Sequence, residues 1–315
     1  MAHFGPLEDK LVVLIGGGGF FGGAIAQELL RRGARVRIAE RQPESAIRLR
    51  PLANLGQLQF LRCNVRNSRS VEAAVQGADA VVYLVGTFGS GAQALQADGA
   101  GIAARAAATT GAQSFVYISA IGADATSDSE YARTKGEGEA KVRAAFPGAT
   151  ILRPSVLFGE DDKFLNLFAG MIEDMPIVPM FAEGARLQPL WVDDAAAAVV
   201  ESLYDPKAHG GKTYEIAGPE VVTIRELNQR IAEAQGRKRR FVAVPDGLAG
   251  LIAALPGTPI TSDQLSLLKR GNVASGQLPG IGELGVTPKP LELFLERWMM
   301  RYRKYGRFGI KDELA

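Results

Sequence analysis

The chain has 315 residues, 47% of them hydrophobic and 22% charged, with a formal net charge of +2. That length allows one large domain or two moderate ones with an ample core, and so slight a positive balance excludes nucleic-acid binding as the default expectation. One cysteine, Cys63, and two scattered histidines, His3 and His209, are too few for a zinc site or a Ser-His-Asp triad.

Apolar runs at 11–15, 35–39, 57–62, 79–85, 113–119 and 149–153 alternate with helical patterns near 20–32, 44–54, 68–76, 92–110 and 129–145. The alternation predicts an α/β fold of the Rossmann type, a doubly wound parallel sheet with right-handed crossovers and helices on both faces. After about residue 155 the rhythm loosens. Proline-rich breaks at 175–179, 256–259 and 287–290 separate helical segments at 163–174, 223–235, 247–254 and 261–269,. Leu187 to Val192 leading into Asp193 to Tyr204, and Thr213 to Ala217, still read as sheet and cover helix. The expected organisation is a nucleotide domain of residues 1–155 that takes back roughly 186–218. Residues 156–315 would build a smaller, mainly helical cap over its cleft. Alanine-rich stretches at 100–108 and 195–198 predict close-packing helix faces, which serve equally inside a domain or across a dimer and leave the oligomeric state open.

The stretch GGGGFFGG, residues 16–23, joins the first apolar run to the first helical pattern. Gly16, Gly19 and Gly22 fall at three-residue intervals, so the chain can turn without Cβ clashes and bring backbone N–H groups against phosphate oxygens. The helix start then adds unpaired donors and a positive dipole end. Spacing and position predict a pyrophosphate site. Around it, Phe20, Phe21, Val65, Val85, Gly86 and Pro154 complete the expected cofactor contacts at helix start and strand ends.

Glu40 and Arg41 close the second strand. A carboxylate there accepts from adenosine ribose hydroxyls, whereas a guanidinium clamps a 2′-phosphate. Charge alone leans slightly to NAD, because Glu40 repels a 2′-phosphate and Arg41 can stack on adenine instead. Asn64, ending the third strand, can bond the adenine edge or serve as a plain turn residue. Cys63 beside it reads as a small buried hydrophobe.

Tyr131 and Lys135 stand one helical turn apart, on one face,. An ammonium so placed can hold the nicotinamide ribose and, by favouring phenolate, lower a tyrosine pKa from about 10 toward neutrality. Such a tyrosine could exchange a proton with a substrate oxygen while the nicotinamide exchanges hydride.

GGGGFFGG, the Tyr131/Lys135 pair and ILRPSVLFG (151–159) together resemble an atypical or extended short-chain dehydrogenase/reductase. Within that superfamily, residues 131–171, RLRPLANLGQLQFL (48–61) and LPGIGELGVTPKPLEL (278–293) are most similar to the nucleotide-binding accessory subunit family of respiratory complex I. The resemblance implies tightly held NADP(H), with Gly16, Gly19 and Gly22 at the pyrophosphate, Arg41 at the 2′-phosphate and Lys135 at the nicotinamide ribose. Glu40 departs from the family pattern and keeps NAD(H) as the alternative. Active members of the superfamily place a serine or threonine after the fifth strand. Here that position aligns with Ala120, and Ser119, one residue early, should point the other way,. A structural or redox-sensing nucleotide with little or no turnover is therefore expected, the alternative being an active oxidoreductase or epimerase using Tyr131 and Lys135 on a small or nucleotide-linked substrate.

Between Leu291 and Phe308, Leu291, Phe294, Leu295, Trp298 and Tyr302 recur at helical spacing, with Arg297, Arg301 and Lys304 on another face and Arg307 and Lys311 beyond. This predicts a helix docked on its own domain, or else an element binding complex I or an anionic membrane surface. The basic run 236–241 predicts a solvated surface. No apolar run reaches the roughly 18 residues that span a bilayer, and no signal-like segment precedes Leu11, so a cytoplasmic protein, peripheral at most at the inner face of a membrane, is expected.

Overall fold

The computed structural model describes residues 7–254, 261–304 and 306. His3, the proline pair at 256–259, Arg307 and Lys311 lie outside the described residues. The chain forms two compact units. The first comprises the chain up to Pro154 together with Val192–Ile216 and Ala274–Thr287, and the second comprises Ser155–Trp191, Ala217–Val273 and the chain from Pro288.

The first unit is built on seven parallel strands. β1 (Leu11–Ile15), β2 (Arg35–Glu40), β3 (Leu58–Arg62), β4 (Ala80–Tyr83), β5 (Ser114–Ile118) and β6 (Thr150–Pro154) are joined by Thr213–Ile216. Their order across the sheet is Thr213–Ile216, β6, β5, β4, β1, β2, β3. The helices are α1 (Phe20–Arg31), α2 (Ser68–Val75), α3 (Gly99–Thr109) and α4 (Glu130–Ala145). All five residues of β1 are buried, as a strand covered on both faces requires. Leu11, Val13 and Ile15 pack with Val71 and Ala74 of α2, Ala100 and Ala103 of α3 and Val142 of α4. Strand alternation turns Val12 and Leu14 to the opposite face, where α1 packs on the helix Val192–Tyr204 and Arg32 donates to Glu201 at 2.6 Å.

Two helical expectations change form. Residues 44–54 are a 3₁₀ helix, Pro43–Leu52, containing Pro51, whose missing N–H disfavours an α-helix. The pattern at 92–110 divides into a π-helical stretch, Gln93–Asp98, and α3. Tyr83 Oη donates to the Leu95 carbonyl and Tyr117 Oη donates to the Gln96 carbonyl at 3.0 Å. These buried hydroxyls occupy carbonyl oxygens of the stretch where the helix widens.

Among the described residues the second unit holds three two-stranded ladders: Leu157–Phe158 with Leu190–Trp191, Arg186–Leu187 with Val222–Thr223, and Ile177–Met180 with Arg240–Ala243. Its helices Phe164–Asp174, Ile224–Ala234 and Glu292–Met299 share a core that includes Leu165, Ile172, Leu227, Ile231, Leu295 and Met299. The C-terminal helix is shorter than its pattern, ending in a 3₁₀ turn at Met300–Tyr302. Its apolar stripe is spent inside the unit: Phe294 and Trp298 stack at 4.8 Å, and Phe294 lies 4.4 Å from Trp191. Arg301 donates to Asn166 Oδ1 at 2.6 Å. The basic run at 236–241 is not all solvated, because Arg239 Nε donates to the Ile172 carbonyl at 2.7 Å and Arg237 Nη2 to the Tyr302 carbonyl at 2.9 Å. Among the described residues no helix is long and apolar enough to cross a membrane.

Gly138 shows how tightly α4 lies on the sheet. A Cβ there would sit 2.6 Å from the Gln96 carbonyl oxygen and would overlap the Tyr117 hydroxyl. Gly138→Val is expected to lower unfolding stability by about 1–3 kcal/mol, read from urea denaturation, because neither obstacle is a mobile side-chain tip.

Candidate functional site

The strand order reverses between β1 and β4, the place where an open α/β sheet leaves a crevice beyond the carboxyl ends of its strands,. A groove of about 750 Å³ lies there, lined by Gly16 and Gly19 after β1, Ala39–Gln42 and Ser45 after β2, Arg62, Cys63 and Val65 after β3, and Leu84–Thr87 after β4. Leu95 completes the lining.

Each glycine of the predicted triplet has a separate reason. Gly16 has φ +81°, and a Cβ there would meet Val85 Cγ2 at 2.9 Å. At Gly22 a Cβ would come 2.6 Å from Gly17 Cα, so only a bare backbone lets α1 approach the turn. Gly19 is the N-cap of α1, and a Cβ there would meet no protein atom within 4 Å. Its open side faces the groove, no side chain caps α1, and no acidic residue stands in its first turn. Unpaired N–H donors at the positive end of a helix beside an open cradle suit a pyrophosphate.

At the adenosine end, Ser45 Oγ donates to Glu40 Oε1 at 2.9 Å, and the Glu40 carboxylate lies so close over Gly18 that a Cβ there would overlap it. Arg41 is exposed and lines the groove. Arg48 Nη2 donates to the Gly18 carbonyl at 3.0 Å and the Gly19 carbonyl at 3.2 Å, tying the 3₁₀ helix to the glycine turn. Cys63 is buried, and burial pushes its thiol pKa up. Asn64 stands outside the lining, its Oδ1 accepting from the Arg66 N–H at 3.1 Å, which is the turn role.

At the other end, Lys135 is only 2% exposed and its Nζ donates to the Ile118 carbonyl at 2.8 Å. The Gly86 backbone, which lines the groove, runs beside it: a Cβ on Gly86 would lie 3.4 Å from Lys135 Nζ and 3.4 Å from Gln96 Oε1. Gln96 is fully buried; its Nε2 donates to Thr134 Oγ1 at 2.9 Å and the Thr87 carbonyl at 3.1 Å, while its Oε1 has no partner. An orphaned buried acceptor there fits a ligand that brings a donor. The cradle, the uncapped helix and the orphaned acceptor together suit a nicotinamide dinucleotide.

Burial, not charge, decides the protonation of the Tyr131/Lys135 pair. Desolvation pulls Lys135 down to about 7, against a smaller opposing pull from Glu139, and pushes Tyr131 up to about 12. The expected phenolate is therefore replaced by a phenol that stays protonated across the neutral range. Phe88 stacks on the Tyr131 ring at 4.2 Å, and Lys135 Nζ lies 5.9 Å from that ring's centroid. Ser119 is buried and its hydroxyl donates to Glu139 Oε1, whose carboxylate accepts two bonds from Arg153 at 2.8 Å each. Ala120 follows it and carries no hydroxyl.

Of the expected contacts, Gly16, Gly19, Glu40, Arg41, Val65, Val85 and Gly86 line one groove, and Phe20, Phe21, Gly22, Asn64, Ser119, Tyr131, Lys135 and Pro154 do not. Gly22 packs on the Gly17 backbone, and Lys135 lies behind Gly86 of the lining. Sequence reasoning missed Ser45, Arg48, Arg62 and Gln96. For Arg62 a signal exists, a charge ending an apolar strand as Arg41 follows β2. Ser45 and Arg48 reach the turn only because residues 43–52 fold back.

Residues 16–167 match the NAD(P)H-binding family. The chain is 31% identical to the mitochondrial NADH dehydrogenase (ubiquinone) 1 alpha subcomplex subunit 9 of Mus musculus, over 95% of this chain and 82% of that protein. It is 28% identical to a ceramide reductase of Caulobacter vibrioides, over 75% of this chain and 74% of that protein. Its fold matches a dTDP-glucose 4,6-dehydratase from Streptomyces venezuelae, solved with NAD bound, with a TM-score of 0.73, 19% identity, and coverage of 95% of this chain and 98% of that one.

The buried ammonium gives a pH test with a definite sign. Lys135 has a folded-state pKa of about 7 against 10.5 when exposed, so between those values the unfolded chain binds more protons and stability rises with pH,. Nucleotide-free protein is expected to gain roughly 2 kcal/mol between pH 7 and pH 9 relative to Lys135→Met, measured by urea denaturation of both.

Proposed function

This chain belongs to the family of the NADH dehydrogenase (ubiquinone) 1 alpha subcomplex subunit 9, and from that membership we propose that it holds NADP(H) as a resident cofactor with little or no turnover, the loaded form docking on respiratory complex I at the inner face of a membrane. Gly16, Gly19 and the start of α1 would hold the pyrophosphate, Arg41 the adenosine 2′-phosphate, and Lys135 and Gln96 the nicotinamide end. Bound NADP(H) supplies a hydride at its nicotinamide ring. The residues around that end are arranged to bind and to exclude water.

The observation that carries the reading is the fate of Ser119. Its hydroxyl is committed to the Glu139–Arg153 pair, and Ala120 offers no replacement. A missing donor of this kind typically lowers a reaction rate by about 10²–10³. The stacked Phe88 adds to this by covering the Tyr131 ring.

A second reading, an active reductase, draws on the Tyr131/Lys135 pair and on the ceramide reductase among the relatives. Under it, Tyr131 would donate a proton to a carbonyl oxygen, a transfer that its raised pKa makes harder than for a free tyrosine,.

Protein purified without added nucleotide and then denatured is expected to release close to one NADP(H) per chain. Tyr131→Phe should leave that content unchanged and no aldehyde or ketone should oxidise the bound NADPH. Turnover by the wild type that Tyr131→Phe abolishes would replace this reading with the second.

A further inference from the structure

We infer that Arg62 is a second arm of the adenosine-phosphate subsite, and that it, with Arg41, lets a groove carrying Glu40 accept the 2′-phosphate of NADP(H). The inference rests on the resident NADP(H) reading above and names the residue that sets the choice of nucleotide.

The two strands that end at the groove put Arg62 directly opposite Glu40. In the parallel pairing of β2 with β3, Glu40 and Arg62 are register partners, and the Cys63 N–H donates to the Glu40 carbonyl at 2.8 Å. Paired positions of neighbouring strands present their side chains on one face. Both side chains line the groove with Arg41 and Ser45.

Glu40 alone argues for a 2′-hydroxyl, but its carboxylate is not free to sweep the subsite. Ser45 Oγ, 2.9 Å from both Glu40 Oε1 and the Gln42 carbonyl, shares its one proton between them, and the bare Gly18 backbone gives both carboxylate oxygens a place to lie. Arg62, in contrast, is lightly engaged. Its Nη2 stands 3.7 Å from Glu44 Oε1, and both side chains are about three-quarters exposed, at 74% and 71%. An ion pair so long and so wet holds a guanidinium weakly. Among the described residues Arg41 forms no ion pair. The lining therefore sets two guanidiniums against one tethered carboxylate. A phosphate monoester carries about −1.5 to −2 charges at neutral pH and matches the planar fork of arginine. A ribose hydroxyl offers neither, so the contribution of Arg62 should discriminate between the nucleotides instead of strengthening both.

The test is competitive loading. Full-length wild type, Arg62→Ala, Arg62→Lys and Glu40→Gln are unfolded in urea, freed of bound nucleotide, refolded in equal concentrations of NADPH and NADH, desalted and denatured, and the released nucleotides are quantified. Wild type is expected to retain mainly NADP(H). Arg62→Ala should lower the NADPH:NADH ratio about tenfold or more, as loss of a charge-assisted contact implies, with total nucleotide near one per chain. Arg62→Lys should recover part of the ratio and Glu40→Gln should raise it. A wild-type preference for NADPH that Arg62→Ala leaves unchanged overturns the role of Arg62 and spares the resident NADP(H) reading. A wild-type preference for NADH overturns that reading and this inference together.

Discussion

The closeness of α1 to the end of β1 is the constraint on which the rest depends. The first turn of α1 can rest on the glycine turn only because Gly22 presents bare backbone to Gly17, where a single added carbon would lie inside contact distance. That approach, with the positive φ at Gly16, carries the chain out of the sheet and aims the uncapped helix start at the crevice. The reversal of strand order between β1 and β4 then supplies the other wall, and Val85 against Gly16 closes the contact. Arg48 fixes the turn from the far side by bonding two of its carbonyls.

Desolvation governs the opposite end of the groove. A buried ammonium and a phenol pressed under an aromatic ring are both driven toward their neutral forms, and nearby charge does not reverse either,. Two kinds of polar group therefore coexist there. Ser119, Glu139 and Arg153 satisfy one another, whereas Gln96 Oε1 has no hydrogen-bond partner among the described residues. The first set ties α4 to the sheet and occupies the Ser119 hydroxyl. The second leaves one buried acceptor unsatisfied close behind the Gly86 backbone that lines the groove.

Much of the fold was legible because the strands announce themselves. β1, β4 and β5 are short apolar runs bounded by turn residues, and their burial on both faces is the pattern a covered parallel sheet leaves in a sequence,. The glycine triplet was legible for the same reason, since each glycine answers a local steric demand. Features that depend on distant partners were not. Nothing local in 92–110 shows that the hydroxyls of Tyr83 and Tyr117 engage carbonyls of its first turns, and nothing local in 43–52 shows Ser45 and Arg48 returning to the glycine turn. The Tyr131/Lys135 spacing was visible, but its reading as a phenolate pair weighed charge without burial. In the C-terminal helix the amphipathic pattern was visible, while its buried stripe against Trp191 and Phe158 appears only once the second unit is assembled.

A resident nucleotide and a turning-over one differ most plainly in how fast they leave. Purified, loaded protein would be mixed with a large excess of isotopically labelled NADPH, and the label in the protein-bound fraction followed by mass spectrometry after rapid desalting. The account predicts that unlabelled nucleotide persists for hours and that its loss tracks unfolding of the protein. Complete exchange within seconds, with the protein folded throughout, would contradict it.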